Sequence, residues 1–507
     1  MLYTVSDLLE QPAHRHPDNV AVQDGATTLT YRQLADQAQR CAGFLTGRAQ
    51  PGERIAMLLP RSAQTLALWF GAHLAALVPV LIHDQLRPRQ VAHILQHCEP
   101  ALTVTNARTR PLLRECALDP ARTVDADSVD GPPLTATRRI IGRDLAALSY
   151  TSGSTGSAKG VMLSHDNLVA GALIVADYLH LTAADRTLAL LPWSFDYGLN
   201  QVLATFAAAG TVVVQRSALP AHICRTLTAA DITGLAGVPT LWHALTSPAS
   251  PFLHGHYPHL RYLTNSGGAL PGAAVRAVHA AHPDVEMFAM YGLTEAFRST
   301  YLPPTLLDTK PDSIGRAIPN SELLVLDEQG TPCPPGTVGQ FIHRGPTVAL
   351  GYWRDPEATA QVFRPHQAGL GGRAESVVHT GDFGYADHDG DLYYLGRRDD
   401  LFKSRGHRVT CLEIERELTA GPLVTAAVVL TADRPGQDDP EILAAVQPGP
   451  DYSTAAFDAY CQRELPAHMR PHHITVLEQL PSTPNGKVDR EAIRPLLAPA
   501  PLAQAPR

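Results

Sequence analysis

Apolar residues recur at helical spacing over residues 5–9 and 31–45, whereas 19–23 and 54–59 have the shorter apolar runs of strands. Residues 65–82 (TLALWFGAHLAALVPVLI) are almost wholly apolar. His73 and Pro79 interrupt that run, and its length barely suffices to span a bilayer, so it reads as a buried helix followed by a buried strand. Beyond residue 160 the alternation resumes, with strands expected at 187–191, 211–215, 234–238, 262–264, 285–290 and 323–326 and helices between them. Strand-helix alternation of this kind predicts an α/β fold of mostly parallel sheets flanked by helices. Residues 337–395 are richer in glycine and β-branched residues and predict a β-rich subdomain of short strands and turns. A hairpin is expected around DHDGDLYYLGRR, with Asp389-Gly390 at its turn. The boundary then falls near Asp399. This divides the chain into a core at 1–398, a small mobile α+β domain at 399–494, and a Pro/Ala-rich tail at 495–507 expected to be disordered.

At 507 residues the chain is too long for one core, roughly three units by length. Its 45% hydrophobic and 18% charged content is that of an ordinary globular protein. A net charge of −8 provides no basic field for nucleic acid and no polybasic anchor for a membrane. Seven dispersed cysteines without a C-x-x-C pair imply reduced thiols and a cytoplasmic setting. Met1 leads into a polar segment, so no signal peptide is expected. No internal repeat is found.

The candidate chemistry starts at LSYTSGSTGSAKGVMLSH, residues 148–165. Glycines let backbone N–H groups approach an anion, hydroxyls add donors, and Lys159 adds a point charge. Thr151, Ser152, Gly153, Ser154, Thr155, Gly156 and Lys159 therefore make a candidate phosphate loop, although neither G-x-x-x-x-G-K-[ST] nor G-x-G-x-x-G is present. A flexible Gly/Ser linker is the plain alternative. Ser266, Gly267, Gly268 and Ala269 follow a strand, and adjacent glycines allow a flat ring to lie against backbone. Tyr291, Gly292, Leu293, Thr294 and Glu295 follow another, combining an aromatic with a hydroxyl and a carboxylate of the kind Mg²⁺ prefers. Asp382 sits on a T-G-D turn, Arg397 to Arg408 form a basic block, and Lys487 lies at the edge of a Pro-Asn-Gly turn. Each taken alone could be a turn, a cap or a solvated charge.

In this order, from about residue 29 to residue 490, the motifs resemble those of the adenylate-forming ligases. That superfamily contains acyl-CoA synthetases, luciferases and the adenylation domains of peptide synthetases. The resemblance implies ATP and Mg²⁺ as cofactors. It implies that the 151–159 loop holds phosphates, with Thr151 and Glu295 reaching the metal. Gly267, Gly268, Ala269 and Tyr291 would flank adenine, and Asp382 would take the ribose hydroxyls. Arg397 and Arg408 would contact nucleotide, Asp399 would be the hinge of the small domain, and Lys487, with Thr294 and Glu295, would be catalytic.

The segment PWSFDYG resembles the place where amino-acid-activating members set an Asp on the substrate ammonium, which makes Asp196 a candidate; a cap or structural Asp is the alternative. Arg298, with Ser266, would line the acid pocket and suit a second carboxylate, or else pair with another protein group. FDYGLNQ and YGLTEAFRS resemble stand-alone enzymes that load β-amino acids onto carrier proteins, and also acyl-CoA-ligase-like members. The implied function is AMP-forming activation of an amino acid, such as an aspartate-like or 3-methylaspartate-like β-amino acid. Transfer to the phosphopantetheine thiol of a separate carrier protein would follow, since the residues after Lys487 are too few for a carrier domain. The alternatives are an acyl-CoA ligase using free coenzyme A, and a catalytically inactive binding homologue.

Overall fold

The computed structural model describes residues 2–114, 116, 120–134, 139–151, 158–270, 272–366, 374–405, 407–432, 439–483 and 486–497. They fall into two compact units, Met1–Leu323 with Ile342–Thr380, and Leu324–Phe341 with Gly381–Arg507.

The larger unit is α/β. Its main sheet has a parallel run ordered Val20–Asp24, Thr211–Val214, Arg186–Ala189, Gly234–Gly237, Tyr262–Asn265 and Glu286–Tyr291. Antiparallel strands extend it, Thr27–Thr30 at one side and Thr300–Leu302 then Ser313–Ala317 at the other. A second sheet, Val78–Ile82, Arg54–Leu58, Leu102–Thr105 and Thr123–Asp125, is parallel throughout. The strands expected from sequence are all present, and short apolar runs between polar turns suit the parallel strands buried on both faces.

The helices follow from local chemistry. Thr30 and Gln33 form a capping box that starts Tyr31–Thr46, and Tyr31, Leu34, Ala38, Cys41 and Leu45 make its buried stripe. The apolar run at 65–82 becomes helix Ala63–Leu74 and strand Val78–Ile82, as read from sequence. Gly71 allows the close approach of that helix to Tyr31–Thr46: a Cβ there would lie 2.7 Å from the Cβ of Cys41 and 2.8 Å from the carbonyl of Ala38. Among the described residues no helix is long and apolar enough to cross a membrane.

One local expectation is corrected. Residues 337–395 are not only short strands: they contain helix Pro356–Val362, started by the Asp355 side chain on the Ala358 amide and by proline at its first turn, and the long strand Glu375–Ala386.

In the smaller unit, residues 382–386 pair antiparallel with Leu392–Arg397, and Gly390 takes φ +85° at the Asp389-Gly390 turn. Beyond it stand the hairpin Leu401–Ser404/His407–Thr410 and a three-stranded sheet, Val424–Ala432, Glu441–Pro448 and His473–Val476, with helices Cys411–Thr419, Thr454–Glu464 and Arg490–Leu497.

Candidate active site

Two antiparallel strands flank the candidate phosphate loop in sequence, Leu145–Thr151 against Lys159–Ser164, with Thr151 opposite Lys159. Ser152, Gly153, Ser154, Thr155 and Gly156 lie outside the described residues. Both stalks are held by helix Pro88–Cys98: His93 Nε2 lies 3.0 Å from the Ala158 carbonyl and His97 Nδ1 lies 2.8 Å from the Tyr150 hydroxyl, one helical turn apart. Lys159 lines a cavity of about 380 Å³ with His93, His97, Tyr352 and Trp353. Its ammonium stands 5.1 Å from the centre of the Tyr352 ring, and the Tyr352 hydroxyl donates to Glu295 Oε1 at 2.7 Å. Sequence reading missed His93, His97 and Tyr352. The HILQH spacing, with histidines on one helix face, is the only local signal for the first two.

Two neighbouring parallel strands deliver the next residues from their C-terminal ends, where α/β sheets place ligands. Tyr262–Asn265 ends in Ser266, Gly267 and Gly268; Gly267 takes φ +84°, and the Asn265 amide donates to the Gly268 carbonyl at 3.0 Å. Glu286–Tyr291 ends in Tyr291. No helix follows Thr294 for it to cap: residues 294–296 form a turn and the chain returns as Thr300–Leu302. Phe297, buried, is held at φ +46°, a strained conformation for a bulky residue, just before Arg298.

Asp196 and Arg298 meet. Asp196 is 5% exposed and begins helix Asp196–Ala207, where a carboxylate suits the helix dipole; Arg298 is 1% exposed. Arg298 Nη2 lies 3.7 Å from Asp196 Oδ2, and Nη1 lies 3.4 Å from Ser266 Oγ. The guanidinium carbon stands 4.7 Å from the centre of the Tyr197 ring, which is fixed by a 2.6 Å bond between its hydroxyl and Thr264. Among the described residues, Arg298 Nε and Nη2 have no hydrogen-bond partner, because 3.7 Å is an ion-pair distance and not a hydrogen bond. The two residues assigned separately to a substrate ammonium and a substrate carboxylate thus also serve as each other's counter-ion.

The smaller unit holds the remaining candidates. Asp382, buried, faces Arg397 across paired strands, with Arg397 Nε 3.4 Å from its carboxylate. Asp399 lies in the short turn Arg398–Asp400, and Arg408 lies on strand His407–Thr410 opposite Lys403. Lys487 is exposed, Gly486 before it takes φ +76°, and the Thr483 amide donates to the Lys487 carbonyl at 2.7 Å.

The model of the family described as AMP-binding enzyme matches residues 9–353. The chain belongs to that family. It is an adenylate-forming enzyme, as the motif order implied. Over 521 residues it is 31% identical to novobiocin biosynthesis protein H of Streptomyces niveus, covering 99% of this chain and 84% of that one. It is 29% identical over 499 residues to tyrocidine synthase 3 of Brevibacillus parabrevis, covering 97% of this chain. The chain spans only 8% of that relative's length, and 14% of tyrocidine synthase 2 from the same organism. In structure it is similar to the anthranilate CoA ligase AuaEII in complex with anthranoyl-AMP, at TM-score 0.88 and 25% identity over 98% of both chains. It is also similar to ATP-bound MatB from Rhodopseudomonas palustris, at TM-score 0.86 and 28% identity over 97% of this chain and 98% of that one.

Proposed function

We propose that the enzyme activates an amino acid carrying a second carboxylate, an aspartate-like or 3-methylaspartate-like β-amino acid, and passes it to the phosphopantetheine thiol of a separate carrier protein. The observation behind this reading is the buried Asp196–Arg298 pair, whose guanidinium, among the described residues, keeps two nitrogens without hydrogen bonds. A buried polar group left in that state is costly unless a ligand completes it. An ammonium on Asp196 and a carboxylate on Arg298 would do so together.

In the first half-reaction an oxygen of the substrate carboxylate forms a bond to the α-phosphorus of ATP. The bond from that phosphorus to the bridging oxygen breaks, and pyrophosphate leaves with the electron pair. Both reactants are anions, and two unit charges 4 Å apart repel by roughly 4 kcal/mol at an effective dielectric of 20. Lys159 on the β/γ-phosphates and Lys487 near the α-phosphate would offset this, with the largest gain as charge moves onto pyrophosphate. Asp382 would hold the ribose hydroxyls, and Gly267, Gly268, Ala269 and Tyr291 the adenine. Arg397 and Arg408 would add nucleotide contacts. Glu295 and Thr151 offer hard oxygen donors that fit Mg²⁺, which when bound would neutralise phosphate charge. In the second half-reaction the thiol sulfur bonds to the acyl carbon, AMP leaves, and the thiol proton is released. Rotation of residues 399–494 about Asp399 would exchange Lys487 for the thiol path.

The similarity to a CoA ligase over nearly the whole of both chains favours a second reading, in which free coenzyme A is the acceptor. ATP–pyrophosphate exchange over α-amino, β-amino, dicarboxylic and simple acids tests the first reading. Exchange that requires an amino group and is lost in Asp196→Ala is expected; exchange with simple acids that Asp196→Ala leaves intact would overturn it. Offering coenzyme A and a phosphopantetheinylated carrier protein in parallel then distinguishes the acceptors.

A further inference from the structure

Tyr352 touches two charged groups of opposite sign. Its hydroxyl donates to Glu295 Oε1 at 2.7 Å, and its ring lies 5.1 Å beneath the Lys159 ammonium, within the reach of a cation–π attraction. The residue is itself well fixed, at 7% exposure. Its strand, Gly351–Tyr352, pairs with Lys159–Ser164. Its amide donates to Thr359 Oγ1 at 2.9 Å, and Phe363 meets its ring edge-on at 5.5 Å. The same stretch holds the backbone of Glu295, since the Ala349 amide donates to the Glu295 carbonyl at 2.9 Å. Among the described residues no ion pair joins Glu295 to Lys159.

We propose that Tyr352 is a positioning residue for adenylation. By donating to one carboxylate oxygen it orients Glu295 so that the other oxygen is presented for a divalent cation. By its ring it parks Lys159 beside the nucleotide phosphates instead of on that carboxylate. A direct Lys159–Glu295 pair would cancel both charges, and a neutral aromatic between them keeps each available. The inference rests on the proposed adenylation of a carboxylic acid with Mg²⁺·ATP, and it adds a residue outside the loop and outside the YGLTE segment.

The test separates hydroxyl from ring. ATP binding to the wild-type protein, Tyr352→Phe and Tyr352→Leu is measured by calorimetry with and without MgCl₂, with melting temperatures as the folding control and pyrophosphate exchange alongside. Tyr352→Phe keeps the ring. It should raise the Mg²⁺ concentration for half-maximal ATP binding about tenfold, equivalent to about 1.4 kcal/mol. Metal-free ATP binding and the KM for the acid should stay as in wild type. Tyr352→Leu should in addition weaken metal-free ATP binding. If Tyr352→Phe leaves the Mg²⁺ dependence unchanged while wild type binds Mg²⁺·ATP, the positioning role is refuted, whatever happens to the melting temperature. If the wild-type protein binds no ATP at all, the adenylation reading fails first and this proposal falls with it. Should Tyr352→Leu not fold, the Phe variant alone decides.

Discussion

The Asp196–Arg298 pair yields the sharpest prediction. At 3.7 Å and an effective dielectric of 20, the attraction between the two charges is about 4 kcal/mol. Both groups are almost fully buried, so desolvation consumes much of this and the net worth of the pair is small. Breaking it is another matter. Asp196→Asn leaves a buried guanidinium beside Ser266 and the face of Tyr197, and Arg298→Met leaves a buried carboxylate at the helix N-terminus. Each single variant should lose about 3 kcal/mol of stability in urea denaturation. The double variant should lose clearly less than their sum, by at least about 1 kcal/mol of coupling. The same four proteins, assayed by pyrophosphate exchange, should separate the roles. Asp196→Asn loses dependence on the substrate amino group, Arg298→Met loses preference for a second carboxylate, and the double variant loses both without regaining activity. Additive stability losses would refute the pairing. An equal drop in kcat/KM for every acid with both single variants would refute the division of roles.

Other consequences follow from buried or crowded groups. His165 and His343 are buried, and desolvation pushes each down to about 4; His73, whose ring nitrogens have no hydrogen-bond partner among the described residues, is pushed well below the ordinary histidine value by burial. The unfolded chain takes up these protons from about pH 6.5 while the native state does not. Stability should therefore be full above that pH and fall towards pH 4, by up to about 3 kcal/mol for each of His165 and His343. Urea midpoints read this, a flat profile between pH 7 and 4.5 would contradict it, and His73→Phe should flatten the slope. Gly71→Val should cost about 1–3 kcal/mol, because its branched side chain would run into Cys41 and Ala38; an unchanged melting temperature would show that the helices can separate freely. Asp382→Ala should weaken ATP binding about 10- to 100-fold, as expected for lost charged hydrogen bonds, and should weaken 2′-deoxy-ATP much less. Equal losses for both nucleotides would mean that Asp382 acts through Arg397 and not through ribose.

The sheet order is not written in any single strand, but its strands are. Residues 211–214 (TVVV) and 286–291 (EMFAMY) are short, apolar and bounded by turns, which suffices for a two-sided burial pattern. Helix Pro356–Val362 escaped because its apolar stripe is a single buried alanine and its start depends on Asp355 capping. At the site, motif residues were legible because their chemistry is local: glycines at positive φ, a lysine beside hydroxyls, a carboxylate after a strand. Tyr352 was not, because its significance lies in a contact with Glu295, 57 positions away, and the sequence around it reads as an ordinary strand residue. The Asp196–Arg298 contact was missed for the same reason. Each residue suggested a substrate group, and only the fold brings the two within 3.7 Å of one another.

That contact narrows the proposed substrate more than either residue does alone. The buried pair is electrically balanced, one anion against one cation. A substrate that brings an ammonium and a carboxylate together also adds no net charge, so each member of the pair would trade a 3.7 Å counter-ion for a hydrogen-bonded one. An acid that brings only an ammonium would compete with Arg298 for Asp196 and leave a buried guanidinium in worse surroundings than before. An acid that brings only a second carboxylate would do the converse to Asp196. Simple fatty acids would bury hydrocarbon against a charged pair whose members are not hydrogen-bonded to each other, which is costly. The expected order in pyrophosphate exchange is therefore amino dicarboxylic acids first, then acids with one of the two groups, then unfunctionalised acids. A simple acid at the head of that order would mean that the pair is scaffolding and that the acid binds elsewhere.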